Sequence, residues 1–147
     1  MSDPHDLDRF LAAQEDVYSG VCAELRSGAK RSHWMWFIFP QIAGLGHSAL
    51  AKRYAIASLE EAVAYLDHPL LGPRLRECTD LVMAVKNRSI NQIFGSPDDM
   101  KFCSSMTLFA QAAQDNAMFR NAIERYYSCR FDQATLDILG AASIGPR

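Results

Sequence analysis

The residues Lys30, Arg31, His33, Trp34, Trp36 and Gln41 form the densest group in this sequence with the means to do chemistry. They share one run, Lys30-Arg31-Ser32-His33-Trp34-Met35-Trp36-Phe37-Ile38-Phe39-Pro40-Gln41, which holds both tryptophans and two of the eight phenylalanines. Two cations and an imidazole at the lip of an aromatic wall suit a small anionic, nucleotide-like ligand: the charges hold phosphate oxygens and the rings offer a wall. The same residues also fit a solvated helix start in front of a buried segment, with the rings serving as core. A glycine-rich connection follows, Gly44-Leu45-Gly46-His47-Ser48. Its backbone N–H groups, with Ser48, could cradle an anion at a helix start. It is not a P-loop, because GxxxxGK[ST] is missing, and it lacks the strand and the third glycine of a dinucleotide fingerprint. An ordinary tight turn also explains it.

Further along, Lys101, Ser104 and Ser105 occupy neighbouring positions on one helix face, with Thr107 close by. A lysine beside a serine can activate a nucleophile, or both can bind a ligand. The hydroxyls can instead cap neighbouring helices or bond back to their own backbone. Gln14 and Tyr18 lie one turn apart within an apolar stripe, as pocket groups or as core hydrogen bonds. No HExxH and no GxSxG occurs, and no carboxylate pair falls inside a clearly apolar segment. Glu60, Glu61, Asp98 and Asp99 read as helix-start charges. The residues therefore assign no catalytic group and imply no cofactor.

The 147 residues carry 49% hydrophobic and 22% charged side chains and a net charge of −2, the profile of one globular domain. With no basic run longer than the pair Lys30-Arg31, a broad nucleic-acid surface is not expected. Cys22, Cys78, Cys103 and Cys129 form no CxxC pair, which argues against structural zinc. The polar, acidic start is unlike a signal peptide, and no apolar run reaches the ~20 residues that span a bilayer. A cytoplasmic location with reduced thiols is the expectation, the cysteines being small core residues.

The elements that must position these groups are helical. Asp6 caps a segment with apolar residues from Phe10 to Leu25 at helical spacing, and Gly28 stops it. Ser58 with Glu61, and Ser89 with Gln92, read as helix starts with capping-box spacing. Pro69 and Pro97 read as first helical residues. Asp115 and Asp132 open two later helices, the last stopped by Gly140, and the tail 141–147 reads as frayed. Trp34 to Phe39 is consistent with a buried strand or a buried helix, but nothing else reads as strand. The expected fold is a compact, single-domain, all-α orthogonal bundle of about six to eight helices over residues 1–147, with its ordered core at about 7–139.

The run Gly28 to Gln41, Gly44-Leu45-Gly46 and Ser48 resembles the signature of a bacterial family, domain of unknown function 1810. Further matching residues are Tyr54-Ala55-Ile56, Glu61-Ala62, Tyr65-Leu66, His68-Pro69-Leu70-Leu71-Gly72, Arg74-Leu75, Ile93-Phe94-Gly95, Asp98, Lys101, Ser104 to Phe109, Asp132 and Thr135-Leu136. The resemblance runs from about Leu7 to Leu139. It implies a compact all-α fold and supplies no catalytic residues. Members are often labelled "calpastatin", although calpain inhibition suits an extended disordered chain better than this compact one. A more distant similarity is to the NADAR family, which acts on ADP-ribose-type N-glycosides; its positions would match Gln14 and Tyr18 only loosely. Two functions follow as expectations. One is binding of a nucleotide or ADP-ribose-like molecule in an aromatic pocket with a cationic rim. The other is a non-catalytic protein-interaction module with the motif as core, its partner unspecified.

Overall fold

The computed structural model describes residues 3–142, and among these every regular element is a helix. The order is α1 (Asp8–Gln14), α2 (Tyr18–Ser27), α3 (Met35–Ile38), α4 (Ala49–Arg53), α5 (Leu59–Asp67), α6 (Leu71–Ala84), α7 (Ile90–Phe94), α8 (Asp98–Ala112), α9 (Ala117–Tyr127) and α10 (Gln133–Ala142). The all-α expectation holds. Ten helices exceed the expected number because α3, α4 and α7 are single turns of 4, 5 and 5 residues. The one departure from helix is an isolated parallel bridge between Ile42 and Ile56. No helix among the described residues is long and apolar enough to cross a membrane.

Several local signals act as expected. Gly28 closes α2 in the left-handed conformation, φ 75°. Ser89 and Gln92 form a complete capping box on α7, which Gly95 ends. Ser58 caps α5 by accepting from the Glu61 N–H at 3.1 Å. The reciprocal half of that box is missing: the Glu61 carboxylate binds Arg9 at 2.8 Å and accepts from the Ala57 N–H, one residue short of the cap, at 3.4 Å.

Other signals are overridden. The first apolar stripe is two helices, broken where the Gln14 carbonyl accepts from the Val17 N–H in a tight turn. Asp3, not Asp6, caps the first, accepting from the Leu7 and Asp8 N–H groups at 2.9 and 3.1 Å. Pro69 precedes α6 instead of starting it, and His68 Nδ1 accepts from the Leu70 and Leu71 N–H groups at 3.1 and 3.3 Å. Pro97 occupies the cap position of α8, after a cis Ser96–Pro97 bond. Gly140 does not stop α10, which continues to Ala142; the frayed-tail expectation lies, from residue 143 on, outside the described residues.

α8 is the axis. Its residues from Phe102 to Ala110 are all buried, so it is enclosed on every side. α5, α7, α9 and α10 pack around it, and α6 joins α2, α5 and α9. Aromatic rings fill the centre edge-to-face: Phe39 meets Phe102 at 5.0 Å and 89°, and meets Phe94 at 5.8 Å and 84°. Cys22, Cys78 and Cys103 are buried as expected, and burial pushes the Cys78 thiol up to about 12 and the Cys103 thiol to about 11. Cys129 corrects the expectation: it is exposed, in the left-handed turn with Ser128 that ends α9.

Two glycines separate conformational cost from packing. A Cβ on Gly20, in α2, would meet nothing within 4 Å, whereas one on Gly72 would lie 2.0 Å from the Leu66 carbonyl oxygen. Gly20→Ala is expected to stabilise the fold by about 0.5–1 kcal/mol. Gly72→Ala is expected to destabilise it by more than about 2 kcal/mol, through forced separation of α5 and α6. Urea unfolding of both variants checks the two signs.

Candidate functional site

The segment before the tryptophans is shaped by one carboxylate. Glu24 accepts from the Arg31 N–H at 2.6 Å, the Ser32 N–H at 3.0 Å, the Ser32 hydroxyl at 2.7 Å and the Trp34 indole Nε1–H at 3.0 Å. Burial pulls this carboxyl upward, but the donated hydrogen bonds outweigh it and hold its pKa at about 2. The clamp seats Trp34 in the core, where it is 2% exposed and meets Phe39 and Phe94.

Trp36, two residues on, faces elsewhere. It lines a cleft of about 270 Å³ with Gln41, Gly44, Gly46, Lys52 and Tyr54, closed by small apolar groups and containing no carboxylate. The cleft lies where three pieces of chain meet: α3, the glycine turn, and the end of α4. The Ala43 N–H donates to the Ile56 carbonyl and the Ile56 N–H to the Gln41 carbonyl, each at 2.8 Å. This bridge holds Gln41 beside Tyr54. Gly46 is required by space, since a Cβ there would stand 2.6 Å from the Ala51 Cβ.

Cations sit on both aromatic rings of the cleft. The Lys101 ammonium lies 5.0 Å from the Trp36 ring centre, and the Arg53 guanidinium 5.6 Å from that of Tyr54. Lys101 is held by Asp98 at 3.5 Å, and Asp98 also pairs with Lys30 at 2.9 Å. Lys30 in turn rests 5.1 Å over Trp34. One acid thus sets two lysines on two tryptophans.

Hydrogen-bond pairing singles out the cleft. Tyr18 binds Glu77, Tyr65 accepts from Gln14, Tyr126 donates to the Val82 carbonyl, Tyr127 donates to the Asp99 carbonyl, and Trp34 donates to Glu24. Among the described residues, Tyr54 is the one tyrosine of five, and Trp36 the one tryptophan of two, whose polar end has no partner in the protein. Tyr54 is only 9% exposed. The half-buried Gln41 carboxamide is unpartnered too, while the buried Gln14 amide is saturated by the Phe37 carbonyl, Tyr65 and Arg74. Polar groups shielded from water are normally paired; these three ends keep solvent access through the cleft, whereas among the described residues the one fully buried side-chain polar atom without a partner is Ser105 Oγ, away from it.

The model of DUF1810, a protein family of unknown function, matches residues 4–139. The chain belongs to this family. Its fold is similar to the crystal structure of the conserved hypothetical protein Rv1873 from Mycobacterium tuberculosis. The TM-score is 0.93 at 59% identity, over 94% of this chain and 99% of that one. Neither match is to the NADAR family; Gln14 is spent on core hydrogen bonds and Tyr18 on a hydrogen bond to Glu77 nearer the surface. No curated protein matches the chain.

For this DUF1810 member, the structure divides the residues that the sequence grouped. Trp36 and Gln41 line the cleft, and Lys101 backs it. Trp34 is core and Lys30 is tied to Asp98, with a side chain 8% exposed. Arg31 and His33 are exposed, and His33 lines a separate cavity of about 350 Å³ with Glu24 and Trp34. Ser48 caps α4, accepting from the Ala51 N–H at 3.1 Å. Ser104 and Ser105 are buried away from the cleft. The Ser104 hydroxyl donates to Asp132 at 3.0 Å, and Thr107 accepts from the Asp132 N–H at 2.9 Å. These hydroxyls dock α10 onto α8, the capping role open to them from the start. Ser105 Oγ is buried without a partner. Sequence reasoning missed Tyr54, Lys52 and Arg53 as site groups, since only the chain reversal that pairs Ile42 with Ile56 brings them to Gln41.

The Glu24 clamp has a pH signature. Its folded pKa lies below the ordinary glutamate value, so its stabilising contribution is complete above about pH 4.5 and is lost as pH falls toward about 2. Glu24→Gln is expected to remove this part of the acid dependence and to expose Trp34 more readily. Chemical denaturation from pH 5 to pH 2, read by tryptophan fluorescence, checks it; an unchanged acid slope in the variant would contradict the clamp.

Proposed function

We propose that this chain binds a small anionic, nucleotide-like molecule in the cleft between Trp36, Gln41 and Tyr54. The observation that carries the reading is the concentration of unpartnered polar ends there, in a protein that pairs the same groups elsewhere. A bound molecule would supply the missing hydrogen bonds in a partly desolvated setting, where they count most. Lys52 on the wall and Lys101 behind Trp36 supply positive charge, and no lining carboxylate opposes an anion.

A second reading is supported by the front half of the motif. Trp34 is a core residue clamped by Glu24, and Ser104 is buried against Asp132. If the whole motif were structural, the chain would be a non-catalytic interaction module, and no small-molecule probe would stabilise it.

Thermal denaturation in the presence of nucleoside monophosphates, ADP-ribose and sugar phosphates separates the two. A ligand at about 100 times its Kd adds about 2.7 kcal/mol of stability, several degrees for a chain of this size. Trp36→Ala and Gln41→Ala are each expected to abolish the shift, while His33→Ala leaves it intact. The absence of a shift with every probe would refute small-molecule binding here.

A further inference from the structure

The cleft is weighted towards hydrogen-bond donors. Trp36 offers an indole N–H, a pure donor, and Tyr54 offers a phenol O–H. Each ring carries a cation against it: Lys101 at 5.0 Å from Trp36 and Arg53 at 5.6 Å from Tyr54. A cation on an aromatic face draws electron density out of the ring, and the N–H or O–H at its edge becomes a stronger donor. Lys52 adds a third donor, fully charged. Of the lining residues, Gln41 alone brings a side-chain amide that both donates and accepts. Three donor side chains on one cleft wall, with positive charge and no carboxylate, are complementary to oxyanion oxygens and not to a cation.

Size narrows the class. About 270 Å³ lies below the usual range for ligand pockets, about 300–1,000 Å³. It has room for at most one base, one sugar and one phosphoryl group, and not for a dinucleotide.

On these grounds, which rest on the binding reading above, we propose that the cleft is a site for a phosphate monoester no larger than a mononucleotide. Its phosphoryl oxygens accept from the Trp36 N–H, the Tyr54 O–H and the Lys52 ammonium, and Gln41 bonds the hydroxyls or ring edge of the remainder. Lys101 and Arg53 act through the two rings as positioning residues.

The test is calorimetric titration of the intact chain with UMP, ribose 5-phosphate, uridine and ADP-ribose. UMP and ribose 5-phosphate are expected to bind at least about tenfold more tightly than uridine. Lys101→Met and Arg53→Met are each expected to weaken UMP about three- to tenfold and to leave uridine unchanged. Their melting temperatures should match the parent chain, because Lys30 keeps Asp98 paired and the Arg53 carbonyl keeps its bond from Arg9. Uridine equal to UMP, ADP-ribose tighter than UMP, or a UMP-to-uridine ratio unmoved by both variants would overturn the phosphate-monoester assignment while leaving small-molecule binding in place. If none of the four binds, the assignment and the binding reading fall together.

Discussion

The Arg9 guanidinium is the interaction on which the cleft depends. It donates to the carbonyls of His5 and Asp6 at 2.7 Å, to those of Arg53 and Ala55 at 2.8 Å, and to the Glu61 carboxylate at 2.8 Å. The two carbonyls it takes from the end of α4 flank Tyr54. One side chain of α1 therefore fixes the peptide group before Tyr54 and the one after Ala55, and ties them to α5 through Glu61. The geometry suits arginine alone, since only its planar head presents so many donors in one fixed fork. The pair with Glu61 is shielded, with 15% and 5% of the two side chains exposed, so loss of either partner would strand a charge in a desolvated place.

A second constraint works through Gln14. Its amide donates to the Phe37 carbonyl at 2.7 Å and to Tyr65 at 3.1 Å, and accepts from Arg74 at 3.3 Å. α3 is a single turn that cannot persist alone. It is held from behind by Gln14, from in front by the Glu24 clamp on Trp34, and from the side by the bridge at Ile42. Within that frame the two tryptophans part company. Trp34 goes inward and becomes core, and Trp36 is left as wall, with a lysine on its ring and a free N–H. The distinction between core and pocket runs through the middle of one motif.

Much of the fold was legible in the residues. Gly28 had to end a helix, because the left-handed conformation is cheap only without a Cβ. The Ser89–Gln92 pair could cap only a helix start. What could not be read were overrides by distant partners. Asp6 had the composition of a cap, but Asp3 reached the free N–H groups first. Glu61 had the spacing of a capping box, but its carboxylate is shared between a guanidinium 52 positions away and the Ala57 N–H, and the Ser58 N–H is left out. Asp98 was legible as a helix-start charge, and its hold on two lysines from different elements was not.

Of the candidate site, the motif itself was visible, because aromatic and cationic residues were dense along the chain. Local sequence determined that residues 30–41 would matter, that the surroundings would be helical, and that Ser104 and Thr107 would need partners. Tertiary structure alone decided which ring is wall, which lysine is free to act, and that Tyr54 and Lys52 complete the cleft in place of Arg31, His33 and Ser48. The physical reason is range. Capping, helical spacing and glycine conformations act within about four residues, so they are written in the order of the chain. Pairing of buried polar groups is settled across the whole fold, and a site made of the groups left unpaired appears only when every other partner has been found.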